Sequence, residues 1–220
     1  MNLPDGLLAS EWLLASWGLF VAVLLYAVRH ASWGRLVDGA QQSVWLGTIV
    51  ILILIWSLKA GVRPGLSLHL LGATVFALAF GPWLAFIGLC MVLAGVSLND
   101  GGSYQTFAAN ALMMAAVPVA VSMGVLRFSE RFLPRQVFVF IFVNAFFGAA
   151  LAIGASGLAA CILLAVADVY PAEYLFSEYL PYVLLLGFSE AWLSGMVVTL
   201  FVVYRPAWIG SFDDARYLRD

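Results

Sequence analysis

The sequence predicts an all-α, polytopic membrane protein with seven transmembrane helices, its N-terminus outside and its C-terminus cytoplasmic. Three observations lead to this fold class. Hydrophobic residues make up 64 % of the 220 residues and charged residues only 10 %, whereas soluble domains carry about a quarter charged residues. Long apolar runs recur along the whole chain, and no polar stretch between them is long enough for a soluble domain. The basic residues also concentrate on one side of the predicted membrane.

Each predicted helix corresponds to one apolar run. Gly81-Pro82 marks a tight hairpin between the third and fourth runs. These two runs are short for a hydrocarbon core of about 30 Å, and the sixth is long enough to be tilted or broken. The seven predicted spans cover residues 9–28, 43–58, 65–80, 83–98, 106–126, 137–169 and 179–204.

The distribution of charge predicts the orientation. With the N-terminus outside, eight of the ten Lys and Arg residues fall in cytoplasmic loops and the tail, and only Lys59 and Arg63 fall outside. The first basic residue, Arg29, follows the first apolar run, so this run reads as an uncleaved helix and Met1 is expected to be retained. We expect a single membrane domain, residues 1–220, with a cytoplasmic tail over 205–220.

Several classes of function are disfavoured. No glycine-rich phosphate loop is present, so ATP hydrolysis is not expected in this chain, and nothing indicates a nucleic-acid partner. Cys90 and Cys161 lie inside apolar runs and are expected to be small buried hydrophobes rather than a disulfide. The sixth span carries small or polar residues at four-residue spacing, which predicts a close-packing face. These residues are Asn144, Gly148, Ala152, Ser156 and Ala160.

Three polar side chains inside the predicted spans are candidates for function: His69, Asn110 and Glu190. An unpaired acid at mid-bilayer costs about 2.5–3.5 kcal/mol on insertion scales, so Glu190 must be protonated, paired or hydrated. Each residue also has a structural alternative, a hydrogen bond that joins two helices. A membrane enzyme built on Glu190 is the weakest hypothesis, because no nucleophile or base can be paired with it.

Five short motifs in chain order resemble one family over nearly the whole length. They are Met1-Asn2-Leu3-Pro4-Asp5-Gly6; Leu68-His69-Leu70-Leu71-Gly72; Gly81-Pro82-Trp83; Asp100-Gly101-Gly102 followed by Ala109-Asn110-Ala111-Leu112-Met113-Met114; and Gly187-Phe188-Ser189-Glu190-Ala191. The chain resembles the CbiM/NikM family. These proteins are the membrane-embedded substrate-binding components of energy-coupling-factor transporters for cobalt and nickel.

The resemblance implies that residues 1–8 form a plug that binds the metal ion. The ligands it implies are the terminal amine of Met1, the backbone nitrogen of Asn2 and the side chain of His69. It places further residues around the ion: Asp100, Asn110, Met113 and Glu190. Two positions depart from the family pattern, since Asn2 stands where the family has a histidine and Met113 where it has an asparagine.

The resemblance also implies a transport component rather than an enzyme. Its partners would be the lipid bilayer, a pair of ATPases and a transmembrane coupling subunit, in a bacterial inner membrane and without a resident cofactor. Cobalt and nickel are the ions implied first, with copper and zinc as alternatives. The competing hypothesis is a diverged family member that carries no metal and serves as a membrane assembly or structural partner.

Overall fold

A computed structural model of the protein describes residues 2–61, 63–99 and 104–217. Within these residues, six helices are long and apolar enough to cross a membrane, which confirms the all-α polytopic class. A seventh, short helix lies between the second and third of them. In chain order the helices are α1 (Ser10–His30), α2 (Gly39–Ser57), α3 (Ala73–Phe80), α4 (Pro82–Asn99), α5 (Phe107–Phe132), α6 (Val137–Val166) and α7 (Ala172–Tyr204).

Only the second half of the third predicted span is helical. It contains α3, eight residues long, which at 1.5 Å per residue covers about 12 Å of a core about 30 Å thick. Before α3 the chain forms a two-stranded antiparallel pair, β1 (Ala60–Gly61) with β2 (Ser67–Leu68). The stretch between β2 and α3 carries no regular structure and ends at Gly72, whose φ of +65° is the left-handed conformation that glycine adopts readily.

Contacts between distant segments divide the bundle into two ends. At one end, the Tyr170 hydroxyl donates to the Pro64 carbonyl and the Tyr179 hydroxyl donates to the Ser67 carbonyl. We call this the plug end, because the N-terminal segment also lies there. At the other end, the backbone N–H groups of Gly210 and Ser211 donate to the carbonyls at the end of α3.

The second end carries most of the described arginines, and we call it the arginine end. Arg35, in the short 3₁₀ helix Trp33–Val37, donates to the carbonyls of Ala207 and Trp208 at 3.4 and 3.3 Å. Its guanidinium also lies 5.2 Å from the ring centre of Phe80. The tail after α7 is therefore fixed to the loop between α1 and α2 and to α3. It contains the short helices Pro206–Trp208 and Asp214–Tyr217.

The core lies among α3, α4, α5, α6 and α7, with α6 packed closely on α5 and α7. The predicted close-packing face of α6 is confirmed, because Asn144, Gly148, Ala152, Ser156 and Ala160 are all buried. The sixth span, predicted to be tilted or broken, is one continuous helix with a π-helical stretch over Phe140–Phe147. Both cysteines are buried and unbridged, as predicted.

Candidate metal centre

His69 lies at the plug end in the turn that joins β2 to α3, and only 4 % of it is exposed. Its Nδ1 lies 3.1 Å from the carbonyl oxygen of Leu70. A carbonyl only accepts, so Nδ1 carries the hydrogen, and a neutral ring then keeps its lone pair on Nε2. The ring also lies against Trp56, with 5.1 Å between ring centres. This arrangement leaves on Nε2 the lone pair that a metal ligand requires.

Glu190 on α7 holds the turn that follows His69. Its Oε2 accepts the N–H of Leu71 at 2.8 Å and its Oε1 accepts the N–H of Gly72 at 2.6 Å. The indole of Trp56 on α2 donates to the carbonyl of Leu71 at 3.0 Å. The turn therefore has fixed partners on two different helices. Glu190, which is 2 % exposed, satisfies backbone donors that would otherwise be buried without acceptors.

The N-terminal segment is built into the bundle. Leu3 is fully buried, and its backbone N–H and C=O both bind the side chain of Asn110 on α5, at 2.8 and 3.0 Å. The Leu3 carbonyl also accepts from the Thr106 hydroxyl at 2.6 Å. Gly6, with φ of +80°, makes the turn that leads from this segment toward α1. Leu3 is thus anchored to α5 and to the residue before it.

Asn2 lies beside the strand that leads to His69. Its backbone N–H donates to the Ser67 hydroxyl at 3.0 Å, two residues before His69. Its side-chain Oδ1 accepts from Asn110 Nδ2 at 2.9 Å. The structure therefore brings Asn2, Asn110 and the His69 segment together, and the amide side chain of Asn2 is engaged by Asn110.

Asp5 fastens the plug to the start of α5, a role that sequence reasoning missed. Its carboxylate accepts the N–H groups of Tyr104, Gln105 and Thr106 at 3.0 to 3.1 Å, and also the Thr106 hydroxyl. Desolvation alone would raise the pKa of Asp5, but these hydrogen bonds outweigh it and lower the pKa. The available signal in the sequence was the Asp5-Gly6 pair, a typical turn dipeptide, just before the first apolar run.

The remaining predicted site residues are Met1, Asp100 and Met113. Met1 and Asp100 lie outside the described residues. Met113 is buried in the π-helical turn Leu112–Ala116 that follows Asn110, and no hydrogen bond joins it to Asn2 or His69 within the described part of the chain. Ser67 and Thr106 were not predicted, because serine and threonine at element ends are usually ordinary caps.

The donor chemistry of this region is unusual for a metal site. No group of three or more His, Cys, Asp or Glu side chains that could hold an ion occurs among the described residues. Ordinary zinc or iron centres use such groups. An ion near His69 would need backbone and terminal nitrogens to complete its ligands. The plug supplies one such group, the Asn2 amide, beside the buried imidazole.

Together these features define a helical, multi-pass membrane protein whose N-terminal segment closes one end of the bundle beside a buried histidine. The family model described as "Cobalt uptake substrate-specific transmembrane region", CbiM, matches residues 2–208. The chain therefore belongs to the CbiM family, and it is a membrane component of a metal-uptake transporter. Among curated proteins, none matches the sequence significantly.

Two solved structures have the same fold. A crystal structure of a truncated transition metal transporter is 24 % identical, with a TM-score of 0.80, and the match covers 93 % of this chain and 99 % of the other. A second crystal structure, of a transition metal transporter, is also 24 % identical, with a TM-score of 0.79 over 92 % and 93 % of the two chains. At this identity the likeness shows the shared fold.

Proposed function

We propose that the protein captures Co(II) or Ni(II) at the plug end and delivers it inward with a separate coupling subunit and an ATPase pair. The proposed ligands are the amine of Met1, the backbone nitrogen of Asn2 and Nε2 of His69. The observation that carries this proposal is the hydrogen bond from the Asn2 amide to Ser67, two residues before His69. It sets a backbone nitrogen of the plug beside the segment of a buried imidazole.

Chain connectivity supports the amine. Adjacent Cα atoms are about 3.8 Å apart, so the terminal nitrogen stays close to the Asn2 amide. Amine, amide and imidazole nitrogens favour Co(II), Ni(II) and Cu(II) over harder ions. Copper and zinc are therefore the competing ions. Binding at the Asn2 nitrogen would release its amide proton to solvent, and the hydrogen bond to Ser67 would be lost with it.

The surrounding groups would hold these ligands in place. Glu190 fixes the turn after His69 through the Leu71 and Gly72 amides, and Asn110 fixes the plug through both polar groups of the Leu3 backbone. We include Asp100 and Met113 in the surroundings of the ion on the family resemblance. Partners that orient ligands in this way are worth about 10–100-fold in metal affinity.

The proposed topology has seven crossings, with the N-terminus outside, in a bacterial inner membrane. Ser67 contacts Tyr179 at the plug end and α3 contacts the tail at the arginine end, which supports a crossing by the chain from β2 to the end of α3. The six residues 67–72 would reach up to about 20 Å if fully extended, and α3 adds about 12 Å. The arginine end would face the cytoplasm. The chain would form one domain, with residues 1–8 as plug and 205–220 as tail.

The second candidate is an assembly or structural partner on the same fold that carries no metal. It is favoured by the bond between Asn2 Oδ1 and Asn110 Nδ2, which closes the plug without an ion. The two candidates differ in metal binding and also in partners, because only the transport component needs ATPases.

Metal binding by the purified protein tests the proposal. Protein with its native N-terminus in detergent should bind Co(II) or Ni(II) at micromolar concentration or tighter in calorimetry, with one ion per chain by elemental analysis. His69→Ala should abolish binding, while His30→Ala, which alters an exposed histidine at the arginine end, should not. Absence of binding for cobalt, nickel, copper and zinc alike would overturn the proposal in favour of the second candidate.

A further inference from the structure

A narrow crevice opens on the membrane-facing side of the bundle near the arginine end. It lies between α1 and the second half of α5, with the start of α4 as its floor, and has a volume of about 330 Å³. α1 packs on α4 and on the first turns of α5, so the gap opens farther along, toward the arginine end. Val23 lines it on α1, Pro82, Trp83 and Phe86 line it on α4, and side chains between Ala116 and Arg127 line it on α5.

The walls of the crevice are apolar except at one position. Every lining residue other than Arg127 has an apolar or aromatic side chain. From Ala116 to Arg127 the crevice follows eleven residue steps of α5, about 16 Å at 1.5 Å per residue. Half of a hydrocarbon core about 30 Å thick is about 15 Å. The crevice therefore has the length of one leaflet, and hence of one acyl chain.

Its polar end lies where a lipid headgroup would lie. Trp83 packs edge-on against Tyr26, with 4.9 Å between ring centres, and such aromatic residues concentrate at the membrane–water interface. Arg127 stands at the same end, exposed on α5. Its guanidinium matches phosphate oxygens in geometry and charge.

Arg127 also differs from its neighbours in having no internal partner. Arg35 is bound to carbonyls of the tail, and Arg131 lies over the ring of Phe132. Among the residues that the structure describes, none forms an ion pair or hydrogen bond with Arg127. The nearby acid Glu130 lines a different cavity, together with Arg35 and Asp213. The charge at the mouth of the crevice is thus available to a ligand.

We propose that this crevice binds one anionic phospholipid from the leaflet at the arginine end, with an acyl chain between α1 and α5 and its phosphate on Arg127. Charge complementarity selects an anionic headgroup, and an apolar slot one leaflet deep selects a lipid over a soluble phosphate. The bound lipid would fill the gap that α1 leaves beside α5. This inference depends on the membrane fold and holds whether or not the protein carries a metal.

Native mass spectrometry tests the proposal. The delipidated protein in detergent is titrated with phosphatidylglycerol or with phosphatidylethanolamine of the same acyl chains. One phosphatidylglycerol should be retained in preference to phosphatidylethanolamine. Arg127→Gln should lower its retention about fivefold, the effect of one basic residue near an anionic leaflet. The matched control Arg131→Gln removes the same charge one turn away and should leave retention unchanged.

A second pair of variants tests the slot itself. Ala120→Phe fills the crevice and should prevent retention, whereas Ala15→Phe, on the exposed face of α1, should not. Equal retention of the two lipids would overturn the proposal, and so would wild-type retention by Arg127→Gln. If a helix of a partner subunit is the real occupant, the isolated protein will retain no discrete lipid, and this outcome also overturns it.

Discussion

Removal of the Glu190 carboxylate should loosen the turn that carries His69. In Glu190→Ala the N–H groups of Leu71 and Gly72 lose acceptors at 2.8 and 2.6 Å. Leu71 is 1 % exposed, so its orphaned N–H costs about 1–3 kcal/mol. Gly72 is half-buried, and water can replace part of its bond, which leaves about 0.5–1.5 kcal/mol. The expected loss of stability is therefore about 1.5–4.5 kcal/mol.

The same change should weaken metal binding, because Nε2 of His69 is no longer held in place. We expect a loss of about 10–100-fold in affinity, the usual effect of removing a group that orients a ligand. Glu190→Gln should fall between the wild type and Glu190→Ala, since its oxygen keeps one bond while its amide nitrogen opposes the second N–H. Calorimetry with Co(II) or Ni(II) and thermal unfolding of the detergent-purified protein measure the two effects.

The exposed acid Glu178, in the first turns of α7, provides the matched control. Glu178→Ala removes the same kind of charge without touching the turn, and should alter neither measurement. If Glu190→Ala keeps the wild-type metal affinity but has lowered stability, Glu190 stabilises the fold without orienting His69. Wild-type values for both would refute the role assigned to it.

Three further predictions concern the plug and the tail. Asn110→Ala removes the acceptor of the buried Leu3 N–H, a cost of about 1–3 kcal/mol. It should therefore speed proteolysis or amide exchange of residues 2–8. Unchanged protection of these residues would contradict the role given to Asn110 in holding the plug. Because folding lowers the pKa of Asp5, its contribution to holding the plug is complete above the ordinary pKa of 3.8 and is lost as pH falls through the lower folded value. Amide exchange near residues 2–6 should therefore rise only at strongly acidic pH. Asp5→Asn should remove this pH dependence. In Gly210→Ala the new Cβ would overlap the Arg35 guanidinium and approach the Ala79 carbonyl. The free energy of unfolding should therefore fall by about 1–2 kcal/mol. The control Gly34→Ala has open space around its Cβ and should have the melting temperature of the wild type.

Hydropathy and charge predicted the helical elements well, because apolar runs long enough to span a bilayer have few other uses. The third predicted span shows where this reasoning fails. The stretch over residues 65–80 is apolar enough for a helix, yet its first half is a short strand and an irregular turn. Such backbone is tolerated at membrane depth only where protein partners satisfy it. Here those partners are Glu190, Trp56 and Tyr179, and all three are distant in sequence.

The candidate site was predictable where a polar residue lay inside an apolar run. His69, Asn110 and Glu190 stand out for that reason, since each costs free energy unless it has a partner. Three other residues that bond to the plug or belong to it were not predicted. Asp5 lies before the first predicted span, and Ser67 and Thr106 lie within two residues of the start of one, where residues are commonly in solvated loops or caps. Only the folded chain shows that the three join the plug to β2 and α5.

The position of the N-terminal amine tests the central claim most directly. One extra residue before Met1 moves the amine away while leaving His69, Asn110 and Glu190 unchanged. Calorimetry of the two proteins with Co(II) or Ni(II) should then show a loss of more than about 100-fold in affinity for the extended one, because a ligand itself is removed and not only a group that orients it. Equal affinity in the extended and native proteins would contradict the proposed metal centre.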